Sequence, residues 1–161
     1  MSIDPKALRN AFGHFPTGVC VVGARAPDGE RLGVTVNSFT SVSLDPPLLL
    51  VCLARKLRSH DALVAARGFA ITVLHGEQAA LSARFASPGA DKWQDMPARE
   101  GSAGGLILEP HLAWFDCEMH GCMPGGDHTI MLGRVLDHGT AAAGHPLLYY
   151  RGGYAALAGA A

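Results

Sequence analysis

The residues best suited to chemistry in this 161-residue chain are short polar side chains between positions 33 and 43. On a strand, Val34 and Val36 would point to one face, and Thr35 and Asn37 to the other. Uncharged hydroxyl and amide groups of this kind suit a polar cofactor that carries carbonyl groups, ring nitrogens and a phosphate. An exposed polar strand face explains the pattern equally well. The polar side chains of this strip are Thr35, Asn37, Ser38, Thr40, Ser41 and Ser43.

A basic cluster follows the apolar run 48–54, at Arg55-Lys56-Leu57-Arg58-Ser59. Cationic side chains and free N–H groups at the start of a helix can bind an anion. Taken alone, the cluster is better explained as a solvated basic turn. Further along, Arg84-Phe85 and Lys92-Trp93 add positive charge and two aromatic rings, which a phosphate-bearing aromatic ligand would use.

A third candidate is Gly125-Gly126-Asp127-His128, where two glycines allow a sharp turn before a strand. A histidine at such a junction can face a pocket, although a lone histidine is more often structural. Cys117 and Cys122 match no common zinc spacing, so we expect free thiols and no metal site. The chain contains no dinucleotide-binding G-x-G-x-x-G after a strand, no P-loop and no G-x-S-x-G nucleophile motif.

Hydrophobic periodicity predicts the elements that would position these residues. A helix is expected to end near Gly13. Strands 18–25 and 32–39 would form a hairpin around Pro27-Asp28-Gly29. The run 48–53 predicts a strand buried on both faces, followed by a helix that Ser59 caps. The remaining segments are strand 69–74, helix 77–85, a long excursion over 86–110, and strands 111–123, 129–138 and 147–150. Strands joined as hairpins, with a few short helices, favour a mostly β, antiparallel barrel.

Composition restricts the class of protein further. Hydrophobic residues make up 48% of the chain and charged residues 17%, which is typical of a single folded domain over 1–161. A net charge of −1 without a long basic run argues against nucleic acid as a partner. No apolar run approaches the roughly 20 residues that span a bilayer, so we expect no membrane partner. The first residues lack the layout of a signal peptide, so the sequence predicts a cytoplasmic protein.

The chain resembles the flavin reductase-like family of FMN-binding split-barrel proteins, which includes short-chain NAD(P)H:flavin reductases that serve two-component monooxygenases. The resemblance runs through most of the chain. It is carried by Phe15-Pro16-Thr17-Gly18-Val19, the block 33–47 from Gly33-Val34-Thr35 to Asp45-Pro46-Pro47, Gly126-Asp127-His128, Pro146-Leu147-Leu148-Tyr149-Tyr150 and Gly153-Tyr154.

This resemblance implies a split antiparallel β-barrel that forms a homodimer with flavin near the interface. The protein would transfer hydride from NADH or NADPH to FMN or FAD and supply reduced flavin to a partner monooxygenase. Backbone groups of Cys52, Leu53 and Ala54 would flank the flavin ring. His128 would be the residue at the reaction site, with Tyr154 also near the nicotinamide. Contacts to the ring and ribityl chain are implied for Thr35, Asn37, Ser38 and Ser41, and contacts to the phosphate region for Ser59, Arg84 and Phe85.

Two other functions are compatible with the same residues. One is a flavoprotein that holds FMN as a store or as a redox sensor without turnover. The other is an oxidase that acts on a bound small molecule. His128 and Tyr154 favour the reductase. The basic turn Arg55-Lys56-Leu57-Arg58 replaces the more neutral turn expected of the family, which leaves the choice between FMN and FAD open.

Overall fold

The computed structural model describes residues 3–89 and 91–158. Three short helices are α1 (Pro5–Phe12), α2 (His60–Val64) and α3 (Ala79–Ala86). The strands are β1 (Thr17–Gly18), β2 (Cys20–Arg25), β3 (Arg31–Val36), β4 (Thr40–Leu44), β5 (Pro47–Ala54), β6 (Gly68–Val73), β7 (Ala98–Glu100), β8 (Leu106–Leu108), β9 (Ala113–Gly125), β10 (His128–Thr140), β11 (Leu148–Tyr150) and β12 (Gly153–Ala155). Within the described residues, no helix has the length and apolarity needed to cross a membrane.

Helix α1 begins and ends where its sequence predicts. The Asp4 side chain accepts a hydrogen bond of 3.0 Å from the backbone N–H of Lys6, Pro5 occupies the first turn, and Gly13 caps the end. No residue of α1 is buried, and Phe12 is 68% exposed. The helix therefore presents its apolar side chains to the surroundings instead of to the core.

Seven strands form one antiparallel sheet in the order β3-β2-β6-β9-β10-β5-β4. The predicted hairpin of β2 and β3 is confirmed, with Cys20 opposite Val36 and Arg25 opposite Arg31. The predicted pair of long strands is confirmed as β9 and β10. On its other side β10 pairs with β5, which places His128 directly opposite Ala54.

The sheet encloses the main core. Buried side chains from β3 and from β5, such as Val34 and Val51, belong to one cluster although these strands lie near opposite ends of the sheet order. The sheet must therefore curl toward itself. A second cluster joins β2 to α3 and to the segment after α3 through Val21, Phe85 and Trp93. The mostly β, antiparallel architecture with few helices that the sequence predicts is confirmed.

The expectation that residues 48–53 are buried on both faces is wrong. Along β5 burial alternates: Leu49, Val51 and Leu53 are buried, while the residues between them are only half-buried. An uninterrupted apolar run does not distinguish a strand covered on both faces from one whose second face lies uncovered in the single chain. The half-buried apolar residues of β5 instead continue across the sheet onto β10.

Three local expectations also need correction. Strand β3 ends at Val36, so residues 37–39 form a link to β4 instead of continuing the strand. Helix α2 begins after Ser59, but the Ser59 side chain makes no capping hydrogen bond. The excursion 86–110 contains strands β7 and β8. It buries Trp93 in the second cluster and Ile107 in a small third cluster with Ala70 and Trp114. The short strands β1, β4 and β12 are not predicted by the sequence patterns.

Candidate functional site

The polar strip spans the end of β3, the link 37–39 and β4. Thr35 is half-buried, and its Oγ1 donates to the backbone oxygen of Ser82 at 2.7 Å. Asn37 is exposed in the link, and Ser41 is exposed on β4, opposite Leu49. The strip is therefore not a uniform strand face, since each residue has its own surroundings.

Ser38 connects the strip to the carboxyl end of β5. Its Oγ accepts a hydrogen bond of 2.9 Å from the N–H of Cys52 and lies 3.2 Å from the Cys52 carbonyl oxygen, to which it donates. A hydroxyl that satisfies both backbone groups of one residue acts as a substitute for a neighbouring strand. The contact brings Ser38 together with the predicted flanking residues Cys52, Leu53 and Ala54.

His128 reaches the same place through the sheet register. It is the first residue of β10, and directly opposed residues such as His128 and Ala54 have Cα atoms about 4.5–5.5 Å apart. Its Nδ1 lies 2.7 Å from Oδ1 of Asp127. Hydrogen bonding to His128 lowers the pKa of Asp127, so this carboxylate is ionised at neutral pH and Nδ1 carries a proton. In the neutral ring, Nε2 is then free to accept a hydrogen bond.

Tyr154 is held against α3. Its hydroxyl donates to Oγ of Ser82 at 2.9 Å, and Ser82 is the residue whose backbone oxygen receives the Thr35 hydrogen bond. Ser82 is buried in α3 and was not anticipated as part of the site. Only its position close before the predicted Arg84-Phe85 in the same helix could have indicated it.

Arg84 and Phe85 lie close to Ser82, but the structure gives them other contacts. The Arg84 guanidinium donates to the backbone oxygen of Gln94 at 2.5 Å and to that of Asp91 at 3.4 Å. The Phe85 ring is fully buried and packs edge-on against Trp93, with 4.9 Å between the centroids. Any contact of Phe85 with a ligand would have to come from its backbone. Ser59 is half-buried at the start of α2.

The structure thus brings most of the predicted residues together in two groups, and Asn37, Ser41 and Ser59 belong to neither. The first lies at the carboxyl end of β5 and contains Ser38, Cys52, Leu53, Ala54 and His128. The second surrounds Ser82 in α3 and contains Thr35, Arg84, Phe85 and Tyr154.

A groove of about 840 Å³ lies beside Asn37, between α1 and the turn that joins β11 to β12. Thr17, in its wall, has a buried Oγ1 that makes no hydrogen bond to any described residue. The Asn37 amide likewise makes none within the described part of the chain. Unpaired polar groups in a concave wall are favourable partners for a ligand rich in carbonyl groups and ring nitrogens, so Thr17 and Asn37 suit a flavin. Of the predicted site residues, Asn37 alone lines this groove. Among the residues described, no group of three or more His, Cys, Asp or Glu side chains could hold a metal ion.

The sequence of this chain is similar to those of several known proteins. Residues 12–158 match the model of the flavin reductase like domain. The chain is 46% identical over 151 residues to the stachydrine N-demethylase reductase subunit Stc3 of Rhizobium meliloti, covering 94% of this chain and 65% of that protein. It is 40% identical over 157 residues to a flavin reductase of Pseudomonas putida, covering 98% and 92%. The chain therefore spans less than two thirds of the Rhizobium protein and nearly all of the Pseudomonas protein.

A solved structure shares the fold over its whole length. The Streptomyces globisporus NADH:FAD oxidoreductase SgcE6, in complex with NAD and FAD fragments, superposes with a TM-score of 0.90. It is 36% identical in sequence, and the match covers 100% of this chain and 99% of that one.

Proposed function

Because this chain belongs to the flavin reductase-like family, we propose that it is an oxidoreductase that uses NADH or NADPH to reduce FMN or FAD. The observation that carries the proposal is the junction at the carboxyl end of β5. There Ser38 is bonded to Cys52, and His128 lies opposite Ala54. A residue predicted for the flavin and the residue predicted for the nicotinamide thus both lie beside the last three residues of β5, Cys52 to Ala54.

The residues of the chain orient the two reactants. Asn37 and Ser41 offer exposed polar side chains to the flavin, and Ser38 holds the backbone of Cys52 in position beside them. His128 presents Nε2 toward the nicotinamide nucleotide, because Asp127 occupies Nδ1. The flavin, when bound, supplies the hydride acceptor, so the protein needs no acid or base of its own for that step.

Positive charge supports binding of the phosphate. Arg55, Lys56 and Arg58 are all exposed immediately after β5. They directly follow Ala54 in the chain, and their attraction to a phosphate would be screened by salt. We propose Ser59 as a further contact to this region. The Phe85 carbonyl oxygen already accepts a hydrogen bond from Lys92 and cannot donate to a phosphate, so Phe85 would support this region through packing alone. Arg84 would have to exchange its bond to Gln94 for one to the phosphate.

We further infer that the curled sheet is a split barrel and that residues 1–161 form one domain. Residues 1, 2, 90 and 159–161 lie outside the described part of the chain. Support comes from the core cluster shared by β3 and β5 and from a sheet whose strands run from residue 20 to residue 140. Four free cysteines, two of them buried, support the cytoplasm as the compartment.

A homodimer is part of the same proposal. The outer face of β5 and β10 presents half-buried apolar side chains opposite one another, with Leu50 facing Leu132 and Cys52 facing Ile130. At the sheet edge Leu44 is 96% exposed. A contiguous apolar surface of this kind is typical of an interface, and a second copy of the chain would cover it close to the flavin site.

The partner would be a flavin-dependent monooxygenase. The Rhizobium relative is named as the reductase subunit of an N-demethylase, which supports a role as the flavin-supplying component of a two-component system. The name of the Streptomyces protein contains NADH and FAD, which makes that pair the first to test.

The deciding experiment is anaerobic stopped-flow reduction of FMN and of FAD, with NADH and NADPH as reductants. We expect rapid loss of flavin absorbance near 450 nm with at least one pair, at a rate proportional to protein concentration. The same experiment with riboflavin measures the contribution of the phosphate. Tight flavin binding without reduction by either nucleotide would contradict the proposal and indicate a flavin store or sensor.

A further inference from the structure

His60 is a histidine whose side chain is only 13% exposed, although it is the first residue of a short surface helix. Its Nε2 lies 2.8 Å from Oγ1 of Thr129. Thr129 is 8% exposed and is the second residue of β10. The two residues are 69 positions apart in sequence, so this hydrogen bond ties α2 to the beginning of β10.

The direction of the bond follows from the other ring nitrogen. Nδ1 of His60 lies 2.7 Å from Oδ1 of Asp61, and a carboxylate can only accept. Nδ1 therefore carries the proton, and in the neutral ring Nε2 accepts from the Thr129 hydroxyl. The Asp61 side chain is fully exposed, so water competes with that contact. The part-buried hydrogen bond to Thr129 is therefore the one that fixes the position of the His60 ring.

Thr129 is adjacent to His128 and lies opposite Leu53. Successive side chains of a strand point to opposite faces, so anchoring Thr129 on the inner face helps to fix the backbone from which His128 points to the outer face. This restraint adds to the pairing of His128 with Ala54 and Gly125. His128 has few restraints of its own, since its side chain is 42% exposed and its partner Asp127 is 95% exposed. The position of its ring depends on the backbone of the first residues of β10.

We propose that His60 is a positioning residue that acts through Thr129 to hold His128 in place for the nicotinamide nucleotide. The inference rests on the proposed function, in which His128 contacts that nucleotide. It assigns a function to a residue that neither the polar strip nor the basic turn suggested. His60 itself touches neither reactant in this scheme.

The test compares Thr129→Val, which keeps the shape of the side chain and removes the hydroxyl, with Thr129→Ser, which restores it. We expect Thr129→Val to weaken binding of NAD⁺ to the flavin-loaded protein about fivefold to tenfold in titration calorimetry. The KM for NADH should rise by a similar factor, with flavin affinity within about twofold of wild type. Thr129→Ser and wild type should agree within about twofold.

Thr72→Val is the matched control. Thr72 is a fully buried strand threonine whose Oγ1 accepts a 3.1 Å bond from the N–H of Leu108, far along the chain from His128. It should lower the melting temperature at least as much as Thr129→Val without changing NAD⁺ affinity. An equal loss of NAD⁺ affinity in both variants would show a general effect of destabilisation and would overturn the proposal.

A double-mutant cycle locates the effect. If Thr129 acts through His128, then Thr129→Val should add nothing to the NAD⁺ affinity already lost in His128→Ala. Additive losses, or wild-type NAD⁺ affinity in either single variant, would overturn the inference. Failure of the proposed function is a separate result, namely wild-type protein that does not oxidise NADH. The NAD⁺ binding measurements do not depend on turnover and test the positioning role in either case.

Discussion

At the scale of single residues, Asn37 and Ser38 are adjacent but serve different purposes. Asn37 is exposed and makes no hydrogen bond within the described residues, so its amide is available to a ligand. The Ser38 hydroxyl is hydrogen-bonded to both backbone groups of Cys52 and therefore stabilises the backbone of the site. A substitution at each position should therefore give different results in stability and in binding.

We expect Asn37→Ala to weaken flavin binding by one hydrogen bond, about 0.5–1.5 kcal/mol, with an unchanged melting temperature. Ser38→Ala should in addition lower the free energy of unfolding by about 1–3 kcal/mol, because the Cys52 N–H loses its partner. Fluorescence titration with FMN and urea denaturation measure the two effects. Equal stability of the two variants would contradict the role of the Ser38 hydroxyl.

The cysteines give a second test at this scale. Burial raises the pKa of Cys20 and of Cys117 to about 12, so both thiols stay protonated and unreactive at pH 8. Partial burial also raises the pKa of Cys122, but this residue is exposed to reagent. Iodoacetamide should modify Cys122 first and the half-buried Cys52 more slowly, because the proposed dimer also covers the face on which Cys52 lies, as followed by peptide mass spectrometry.

Saturating FMN should protect Cys52 while Cys122 continues to react, since only Cys52 lies in the residue group at the end of β5. Cys122 thus serves as the internal control for reagent and protein concentration. Modification of Cys52 at the same rate with and without FMN would place the flavin elsewhere.

At the scale of elements, close packing holds β3 against α3 and the segment that follows it. Gly33 in β3 leaves the space that the Phe85 ring fills, and a Cβ at this position would lie 2.5 Å from Phe85 Cδ1 and 3.0 Å from Trp93 Cζ2. Lys92 adds a hydrogen bond of 2.8 Å to the backbone oxygen of Phe85. The polar strip thus begins on a strand whose position depends on this packing.

Gly33→Ala should therefore lower the free energy of unfolding by about 1–3 kcal/mol through overpacking. It should also weaken flavin binding, because displacement of α3 moves Ser82 relative to Thr35 on β3. Gly18→Ala is the matched control, since a Cβ there meets no atom within 4 Å. Thermal unfolding followed by circular dichroism compares the two, and equal melting temperatures would refute the packing argument.

At the scale of the whole molecule, the exposed apolar surface requires an explanation. A single chain leaves the outer face of β5 and β10 partly uncovered, and α1 has no buried residue. Pairing of two chains would bury the sheet surface next to Cys52 and His128. The oligomeric state and the flavin site should therefore be coupled.

We expect sedimentation equilibrium at micromolar concentration to show a dimer. Leu50→Lys places a charge in the outer apolar face and should shift the protein to monomer, with weaker flavin binding. Glu30→Lys makes a charge change at the exposed turn between β2 and β3 and should leave the dimer intact. Wild-type protein that is monomeric with flavin bound would contradict both the proposed dimer and its coupling to the flavin site.

Several features of fold and site could be predicted from the sequence because they depend on neighbours a few residues apart. The capped helix α1, the hairpin of β2 and β3 and the pair β9 and β10 follow from periodicity and turn residues. The polar strip after Gly33 and the position of His128 at the start of a strand are also local properties. Membership of the family was evident for the same reason, since its motifs are continuous stretches.

Only the tertiary structure decided which of these residues meet, and which of them already have partners. The bond between His60 and Thr129, and the place of Ser82 between Thr35 and Tyr154, join segments far apart in the chain. The contacts of the Arg84 guanidinium and the uncovered second face of β5 likewise depend on neighbouring elements. The physical reason is that such contacts follow from sheet register and from the curl of the sheet, which no local pattern encodes.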